Sequence, residues 1–367
     1  MIMKDDIIVV IMMLVILCCC IVFCYRTLKS KKRITFIQMA SLACIFIIYS
    51  SLSIVTFVSI YKKYRVITCE LLDIQYYNIT SDSTVEVRPS EDHYEDITHI
   101  IIPPSIICEK DTYSVTRIGN QAFERCERLK HISIPESVTS IGEYAFSHCN
   151  RLAEVVIPNS VSTIEKGAFG WCWSLKSICL PNGLTSISES MFEYSRIKSI
   201  EIPNSVETIG PSAFSGCDSL VSVTMPNTIT AIGDCAFFGC GELYDVNIPK
   251  GVTHIGYKVF ARCNCAINIP EGVVSIGSGA YADHFYTAKI IIPLSVKEIE
   301  YGAFANCGLI SASLVPITIE YAGTKEQWAQ IKREKHDKSI DIFNIQCTDG
   351  VIKAKISREE AENCIVF

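Results

Sequence analysis

The chain has 367 residues, of which 49% are hydrophobic and 20% are charged, and its formal net charge is −6. This length is sufficient for one elongated domain with short additional segments. Proteins that bind nucleic acids through a basic surface usually carry a positive net charge, whereas the net charge of this chain is negative. No nucleic-acid partner is therefore expected.

Two long apolar segments without charged side chains lie near the N-terminus, one at residues 7–25 and one at residues 36–60. At a rise of 1.5 Å per residue, helices of these lengths would be roughly 28 and 37 Å long, enough to cross a hydrocarbon layer of about 30 Å. We therefore predict an α-helical transmembrane hairpin over residues 1–65. A cleaved signal peptide is the alternative for the first segment, but Asp5 and Asp6 precede it and no small-residue cleavage site follows.

The connector between the two segments predicts the orientation of the hairpin. Residues 26–33 carry five positive charges, and basic connectors stay on the cytoplasmic side of a membrane. The rest of the chain is therefore predicted to be extracytoplasmic, in a multi-span membrane protein with two helices. Lys62, Lys63 and Arg65 follow the second segment, so an array that faces inward remains an alternative.

The middle of the chain repeats one pattern nine times, approximately Ile-Gly-x-x-Ala-Phe-x-x-Cys-x-x-Leu-x-x-Ile-x-Ile-Pro. Successive aromatic anchors are 21 to 23 residues apart, at Phe123, Phe146, Phe169, Phe192, Phe214, Phe237, Phe260, Tyr281 and Phe304. Prolines recur with the same spacing, from Pro135 to Pro316. A period in the low twenties is typical of leucine-rich repeats and related solenoids.

Each repeat is predicted to form one coil with two short extended segments. In the first segment, Leu129, Ile132 and Ile134 alternate with polar residues, as in a strand with one exposed face. Pro135 ends this strand because proline cannot donate to the next hydrogen bond of a ladder. A second extended segment covers residues 138–142, and we assign Gly142 to a sharp turn.

No single coil can bury its own apolar side, so the stability of the array must come from contacts between neighbouring coils. At about 4.8 Å per coil, nine coils would form a parallel β-solenoid about 40 Å long. We predict that Phe146, Phe169 and Phe214 lie in one interior row. The predicted fold class is a β-rich leucine-rich repeat solenoid of about nine repeats of ~23 residues, preceded by the α-helical transmembrane hairpin.

The chain has 19 cysteines, and the position of seven of them indicates packing and not chemistry. They follow the aromatic anchor by three residues, at Cys126, Cys149, Cys172, Cys217, Cys240, Cys263 and Cys307. Ser195 takes this place in one repeat without a change in spacing. Free cysteine is commonly buried as a small apolar residue. We therefore interpret this column as filler of the core, and expect no metal site.

No pattern of catalytic residues is visible in the sequence. The seven histidines fall at unrelated positions of the repeat, and the Ile-Gly pairs lie in separate coils and do not form a phosphate-binding loop. We expect no enzyme activity, no catalytic residues and no cofactor. The remote alternative is an enzyme whose site lies near the C-terminal end, around Trp328, His336 and Asp341.

Two groups of side chains are candidates for binding a partner. The first belongs to the exposed strand column two residues before each proline, and consists of Glu201, Thr224 and Asn247. The second lies in the turns of two adjacent coils, and consists of Trp171, Trp173 and Tyr194. Exposed aromatic residues of this kind are common anchors of interfaces. Local packing of the aromatic rings against the neighbouring turn is the alternative interpretation.

These repeats resemble those of the BspA-like leucine-rich repeat family, over roughly residues 69–350. The segment around Val85-Glu86-Val87 and Tyr113–Ile118 resembles the cap that opens such arrays, and the segment from Tyr321 to Gly350 resembles the one that closes them. The resemblance implies a curved parallel solenoid. It also implies a domain organisation with an N-terminal cap at residues 66–117, a repeat array at residues 118–317, and a C-terminal cap and tail at residues 318–367.

The same resemblance implies adhesion or partner binding, since members include surface proteins, some of which bind extracellular-matrix proteins. We therefore predict a membrane-anchored, surface-displayed, non-catalytic repeat protein that binds another protein or a glycan at the cell surface. The alternative is a membrane-tethered interaction scaffold that faces inward.

Overall fold

The structure, a computed structural model, describes residues 68–70, 77–81, 83–89, 97–108, 111–284, 289–308, 318–334 and 337–355. All of them belong to one compact unit, Val66–Phe367. The two apolar segments of the expected transmembrane hairpin lie outside these residues. Within the described ranges, no helix combines the length and the apolar character that a membrane span needs.

The unit is a stack of coils, and one side of the stack is a row of short strands that starts in the cap and continues past the last repeat. Strands are numbered in chain order. The row contains β1 (Thr68–Glu70), β4 (His99–Ile101), β7 (His131–Ser133), β9 (Glu154–Val156), β11 (Ser177–Cys179), β13 (Ser199–Glu201), β15 (Ser222–Thr224), β17 (Asp245–Val246), β19 (Ile267–Asn268), β21 (Lys289–Ile292), β23 (Thr318–Tyr321) and β25 (Asn344–Cys347). The paired neighbours in this row are parallel.

A second side of the stack is formed by shorter strands. They are β3 (Thr84–Val87), β6 (Asp111–Ile118), β8 (Ser140–Ile141), β10 (Thr163–Ile164), β12 (Ser186–Ile187), β14 (Thr208–Ile209), β16 (Ala231–Ile232), β18 (His254–Ile255), β20 (Ser275–Ile276), β22 (Glu298–Ile299) and β24 (Lys332–Arg333). Two antiparallel strands complete the opening cap: β2 (Tyr77–Ser81) pairs with β3, and β5 (Ser105–Cys108) pairs with β6.

The repeat period determines the register of both rows. Glu154 is paired with Ser177, and Thr208 with Ala231, each 23 residues further along the chain. In β9 and β11 the outer residues are exposed and the central residue is buried, as alternation requires. The predicted β-rich parallel solenoid is therefore confirmed for the described residues.

Among the described residues the third side of the stack contains no strand, yet backbone hydrogen bonds also join its coils. The amide of Phe146 donates to the carbonyl of Ala168 in the following coil at 2.8 Å. On the side of the short strands the direction is opposite, because the amide of Gly142 donates to the carbonyl of Ile118 in the preceding coil at 2.8 Å. Each coil is thus bonded to its neighbours on all three sides, in directions that differ between sides.

The aromatic anchors form one continuous interior row, as predicted. The rings of Phe146 and Phe169 are stacked with centroids 5.1 Å apart, and those of Phe214 and Phe237 with centroids 5.2 Å apart. Tyr281 continues the stack and lies 5.8 Å from Phe304. These anchors are buried, so the row supplies the apolar contact between coils that the sequence requires.

A glycine follows the buried isoleucine in six of the nine coils, and Glu165, Ser188 and Glu300 take this place in the other three. Gly142 was assigned to a sharp turn, but the positive φ values fall on other residues, such as Tyr144 (53°) and Trp171 (59°). At Gly277, an added Cβ would lie 2.8 Å from the carbonyl carbon of Gly256 and 2.9 Å from the carbonyl oxygen of Ile255. At Gly277 the backbones of adjacent coils therefore approach so closely that a side chain would meet backbone atoms.

We expect the Gly277→Ala substitution to lower the free energy of unfolding by about 1–3 kcal/mol, the usual cost of overpacking. The added methyl group meets backbone atoms, which cannot rotate away. Gly241→Ala is the matched control, because nothing lies within 4 Å of its added Cβ. Urea unfolding of both variants measures the difference, and equal stabilities would contradict the close-approach explanation.

The stack ends in a different kind of structure. Ile291 of β21 is paired with Glu320 of β23, and β25 extends the parallel row before β26 (Gly350–Ile352) turns back antiparallel. Helix α1 (Lys325–Ala329) begins with a capping box between Thr324 and Gln327. The last proline of the series, Pro316, lies outside the described residues.

Candidate binding surface

One corner of the solenoid carries the aromatic group that the sequence analysis selected. The residue two positions after the aromatic anchor has a left-handed backbone in each of these coils, with φ values of 59° at His148, 59° at Trp171 and 54° at Tyr194. Their rings form a ladder, because Trp171 lies 5.4 Å from His148 and 4.2 Å from Tyr194 in stacked geometry. Aromatic rings in such stacks stabilise the contact between neighbouring coils.

The ladder covers both faces of the Trp171 ring. Trp171 has His148 on one face and Tyr194 on the other. Tyr194 in turn lies against Gly216 of the next coil, where an added Cβ would be 2.5 Å from the tyrosine ring. Trp171 therefore packs between its two neighbours, whereas Tyr194 packs against Trp171 and keeps 40% of its surface exposed.

Trp173 is the most exposed residue of this group. Its ring is tilted by 35° to that of Trp171 at a centroid distance of 6.5 Å, and no other ring contact to it occurs among the described residues. It is 54% exposed. An indole that is exposed and held at one edge by a neighbouring ring can serve as an anchor for a partner.

Several positively charged side chains occupy positions near Trp173 in its own and the adjacent coils. Trp173 and Arg196 each follow their anchors by four residues, so they occupy the same column of adjacent coils. The amide of Lys198 donates to the carbonyl of Lys176 at 3.0 Å, which places these two lysines side by side. Within the part of the chain that the structure describes, four exposed cations of these coils form no ion pair: Arg151, Lys176, Arg196 and Lys198.

Sequence reasoning missed this basic group, which we name the Trp173 patch and define as Trp173, Arg151, Lys176, Arg196 and Lys198. The signal was present in the repeat alignment, because the charges fall in columns near that of Trp173. The overall net charge of −6 concealed it. A local cluster is visible only when side chains are compared by column.

The second candidate group forms a continuous column on the strand side. Glu201 is paired with Thr224, and the pairing of Val223 with Val246 places Asn247 next to Thr224. All three candidate side chains are exposed. No described contact joins this column to the aromatic corner, so the structure brings the six selected residues together as two separate groups.

The cysteine column is buried as predicted, but it does more than fill space. The thiol of Cys149 donates to the carbonyl of Phe123 in the preceding coil at 3.2 Å, and the hydroxyl of Ser195 donates to Phe169 at 2.8 Å. The same bond recurs from the thiols of Cys172, Cys217, Cys240, Cys263 and Cys307. This position therefore selects a small hydrogen-bond donor.

Burial keeps the thiols of Cys172 and Cys217 in the protonated form that donation requires. It raises the pKa of Cys172 and of Cys217 to about 12, because a thiolate would lose its hydration in the core. The described cysteines are free thiols. Buried, protonated thiols are unreactive, so the column is structural.

The histidines are not all at unrelated positions, contrary to the sequence-based interpretation. His284 follows Tyr281 by three residues and occupies the cysteine column, where its Nε2 is hydrogen-bonded to the carbonyl of Phe260. Its side chain is fully buried. Burial lowers the pKa of His284 to about 4 and outweighs this hydrogen bond. The imidazole is therefore neutral at pH 7 and donates as the thiols do.

The comparison with known protein families agrees with this arrangement. The family model of the BspA type leucine-rich repeat region matches residues 96–221 and 207–325, with six copies. The chain belongs to the BspA-type leucine-rich repeat family. The resemblance inferred from the repeat pattern is thereby confirmed.

Several solved structures are similar to this BspA-type protein. A leucine-rich repeat protein from Bacteroides ovatus is 25% identical, with 73% of this chain and 76% of that chain covered and a TM-score of 0.49. The leucine-rich repeat protein of T. pallidum is 26% identical, with coverages of 64% and 88% and a TM-score of 0.39. A leucine-rich cell surface protein from Faecalibacterium prausnitzii is 24% identical, with coverages of 70% and 95% and a TM-score of 0.31. No curated protein matches the chain significantly.

The residues of the remote enzyme alternative have structural contacts in this BspA-type protein. Trp328 is buried and packs edge-on against Tyr321 at 5.2 Å, with the guanidinium of Arg333 over its ring at 5.3 Å. Asp341 is ion-paired with Lys355 at 3.0 Å. His336 lies outside the described residues. Across the described ranges, no three residues of the types His, Cys, Asp and Glu come together as metal ligands.

Proposed function

We propose that this BspA-type protein is a non-catalytic binding protein, anchored in a membrane by residues 7–25 and 36–60 and displaying its solenoid outside the cell for adhesion. The observation that carries the proposal is the Trp173 patch, an exposed indole accompanied by four cations without an ion pair among the described residues. The positive charge of the connector at residues 26–33 supports the outward orientation. The family resemblance supports the role in adhesion.

The chemistry of the patch favours an acidic partner. Tryptophan and arginine are the side chains that most often dominate binding energy at interfaces. Arginine and lysine side chains that lack a partner within their own chain can pair with carboxylates or sulfates of another molecule. Such pairs also accelerate association at low salt. The patch is therefore suited to an acidic protein segment or a sulfated glycan at a cell surface.

We expect the Trp173→Ser substitution to weaken attachment to an acidic ligand by about tenfold or more, as for the loss of a central aromatic anchor. The probes are immobilised heparin and immobilised polyglutamate, each tested at low and at high salt. Binding to the preferred probe should decrease with salt, because exposed charges are screened. Tyr301→Ser is the matched control, since Tyr301 is 55% exposed and lies in a different column.

Unchanged binding by Trp173→Ser, together with an intact fold, would refute the assignment of the patch. Loss of heparin binding alone would identify a sulfated glycan as the partner, and loss of polyglutamate binding alone would identify an acidic protein segment. An equal loss in Tyr301→Ser would show that the effect is not specific to the patch.

The inward-facing scaffold differs from this proposal only in topology. Protease added to intact cells should cleave the solenoid if it is displayed outside. Protection of the repeats in intact cells, with cleavage after lysis, would reverse the assigned orientation while leaving the binding surface unchanged.

A further inference from the structure

Two histidines of the strand row face each other across adjacent strands. β4 and β7 pair in parallel with His99 opposite His131, and their imidazole rings are stacked with centroids 4.9 Å apart and an interplanar angle of 22°. His131 is exposed, and His99 is partly exposed. The chain therefore presents two imidazoles together on the open face of the sheet.

The hydrogen bonding of His99 leaves one ring nitrogen available. Its Nδ1 lies 2.9 Å from the hydroxyl of Thr98. When one imidazole nitrogen is held in this way, the other is directed outward and can bind a metal ion. Burial lowers the pKa of His99, and the charges of His131 and Lys130 lower it further.

We propose that His99 and His131 form a two-histidine site for a divalent transition-metal ion such as Cu²⁺, Ni²⁺ or Zn²⁺. Imidazole is a preferred ligand of these ions. Two nitrogens bound to one ion at about 2.0–2.1 Å in a tetrahedral arrangement are roughly 3.3 Å apart. In the stacked arrangement the ring nitrogens do not converge on one point. The exposed His131 side chain must therefore change its rotamer, so that its free nitrogen and that of His99 face the same ion.

The surroundings of the pair favour an open site with external ligands. Ser133 is paired with Val156 in the adjacent strand. His131 and Glu154 precede these two residues by two positions each, so Glu154 lies beside His131 in the same column. Its side chain is exposed and forms no ion pair among the described residues. The negative charge of Glu154 offsets the positive charge of the nearby Lys130. The protein supplies two ligands, and the remaining coordination positions are open to water or to a group from another molecule.

The chain contains its own control for this proposal. His254 in β18 has the same local hydrogen bond, with its Nδ1 2.8 Å from the hydroxyl of Thr253. Its partner in the following strand is Ser275, and Ala231 holds the same place in the preceding coil. His254 is therefore an exposed histidine of the same type without a second imidazole beside it.

The test measures the affinity for Cu²⁺, Ni²⁺ and Zn²⁺ by isothermal titration calorimetry at pH 7.5. The sample is the purified full-length chain without a histidine tag. We expect binding in the order Cu²⁺ above Ni²⁺ and Zn²⁺. His131→Asn should reduce the affinity at least tenfold, while His254→Asn should leave it unchanged.

Equal affinity in the original chain and in His131→Asn would overturn the proposal, as would an equal loss in His254→Asn. Both histidines are on the open face of short strands, so circular dichroism should show that each variant keeps the fold. If His131→Asn unfolds, the His99→Asn variant and protection of His131 from diethyl pyrocarbonate by Cu²⁺ decide the question. Failure of that protection would also count against the site.

Discussion

Replacing Phe214 with alanine is expected to lower the free energy of unfolding by about 3–5 kcal/mol, the usual cost of removing a buried phenylalanine side chain. Phe214 is fully buried in the centre of the array. Its ring lies 5.4 Å from Phe192 and 5.2 Å from Phe237. The substitution therefore removes two stacking contacts and opens a cavity between coils that cannot collapse without shifting the backbone of both neighbours.

The matched control is Phe238→Ala, which removes the same side chain from a partly exposed position beside Arg262. Urea unfolding followed by tryptophan fluorescence gives the stability of both variants. We expect the midpoint of Phe214→Ala to move much further than that of Phe238→Ala. Similar shifts in the two variants would contradict the assignment of the aromatic row as the main contact between coils.

The second large effect is a loss of stability in acid that depends on His284. The ordinary pKa of histidine is 6.5, and burial lowers the pKa of His284 to about 4 in the folded chain. Between these two pH values the unfolded chain binds a proton that the folded chain does not. The free energy of unfolding should therefore fall by about 1.4 kcal/mol per pH unit as the pH decreases, a total of about 3 kcal/mol at pH 4.

The His284→Ser variant isolates this contribution. Serine is already found in the same column at Ser195, whose hydroxyl donates to the carbonyl of Phe169 at 2.8 Å. Serine does not titrate in this range, so we expect the variant to lose less stability than the original chain between pH 6.5 and 4. Carboxylates contribute to both curves and cancel in the difference. Parallel curves for the two proteins would show that His284 does not titrate as its burial requires.

The interior of the solenoid could be predicted from the sequence because a fixed period determines which residues lie above each other. The stacking of Phe146 on Phe169 follows directly from their equal places in the repeat. The repeat period does not show why a particular residue type occurs at a given position of the repeat. Gly277 and the cysteine column show this limit, because close backbone approach and donation to a carbonyl are visible only in three dimensions.

The positions that sequence reasoning missed lie where the period is interrupted. His99 and His131 are 32 residues apart, because the antiparallel pair of β5 and β6 is inserted between their strands. The 23-residue spacing therefore could not place them side by side. His284 kept its place three residues after the anchor, but the change from Phe to Tyr281 and from Cys to His concealed it.

The aromatic candidates show a different limit. Spacing placed Trp171 and Tyr194 correctly in adjacent turns. It could not show that their rings cover each other while Trp173 stays exposed, because ring orientation depends on the left-handed backbone of that corner.

The opposed hydrogen-bond directions on two sides of the stack have an electrostatic consequence. The amide of Phe214 points towards the C-terminal end of the solenoid, whereas the amide of Gly210 points towards the N-terminal end. Peptide dipoles on these two sides therefore cancel along the axis, unlike those of an α-helix, which add up to partial charges at its ends. An array of this kind can gain or lose repeats without building up a field at its termini.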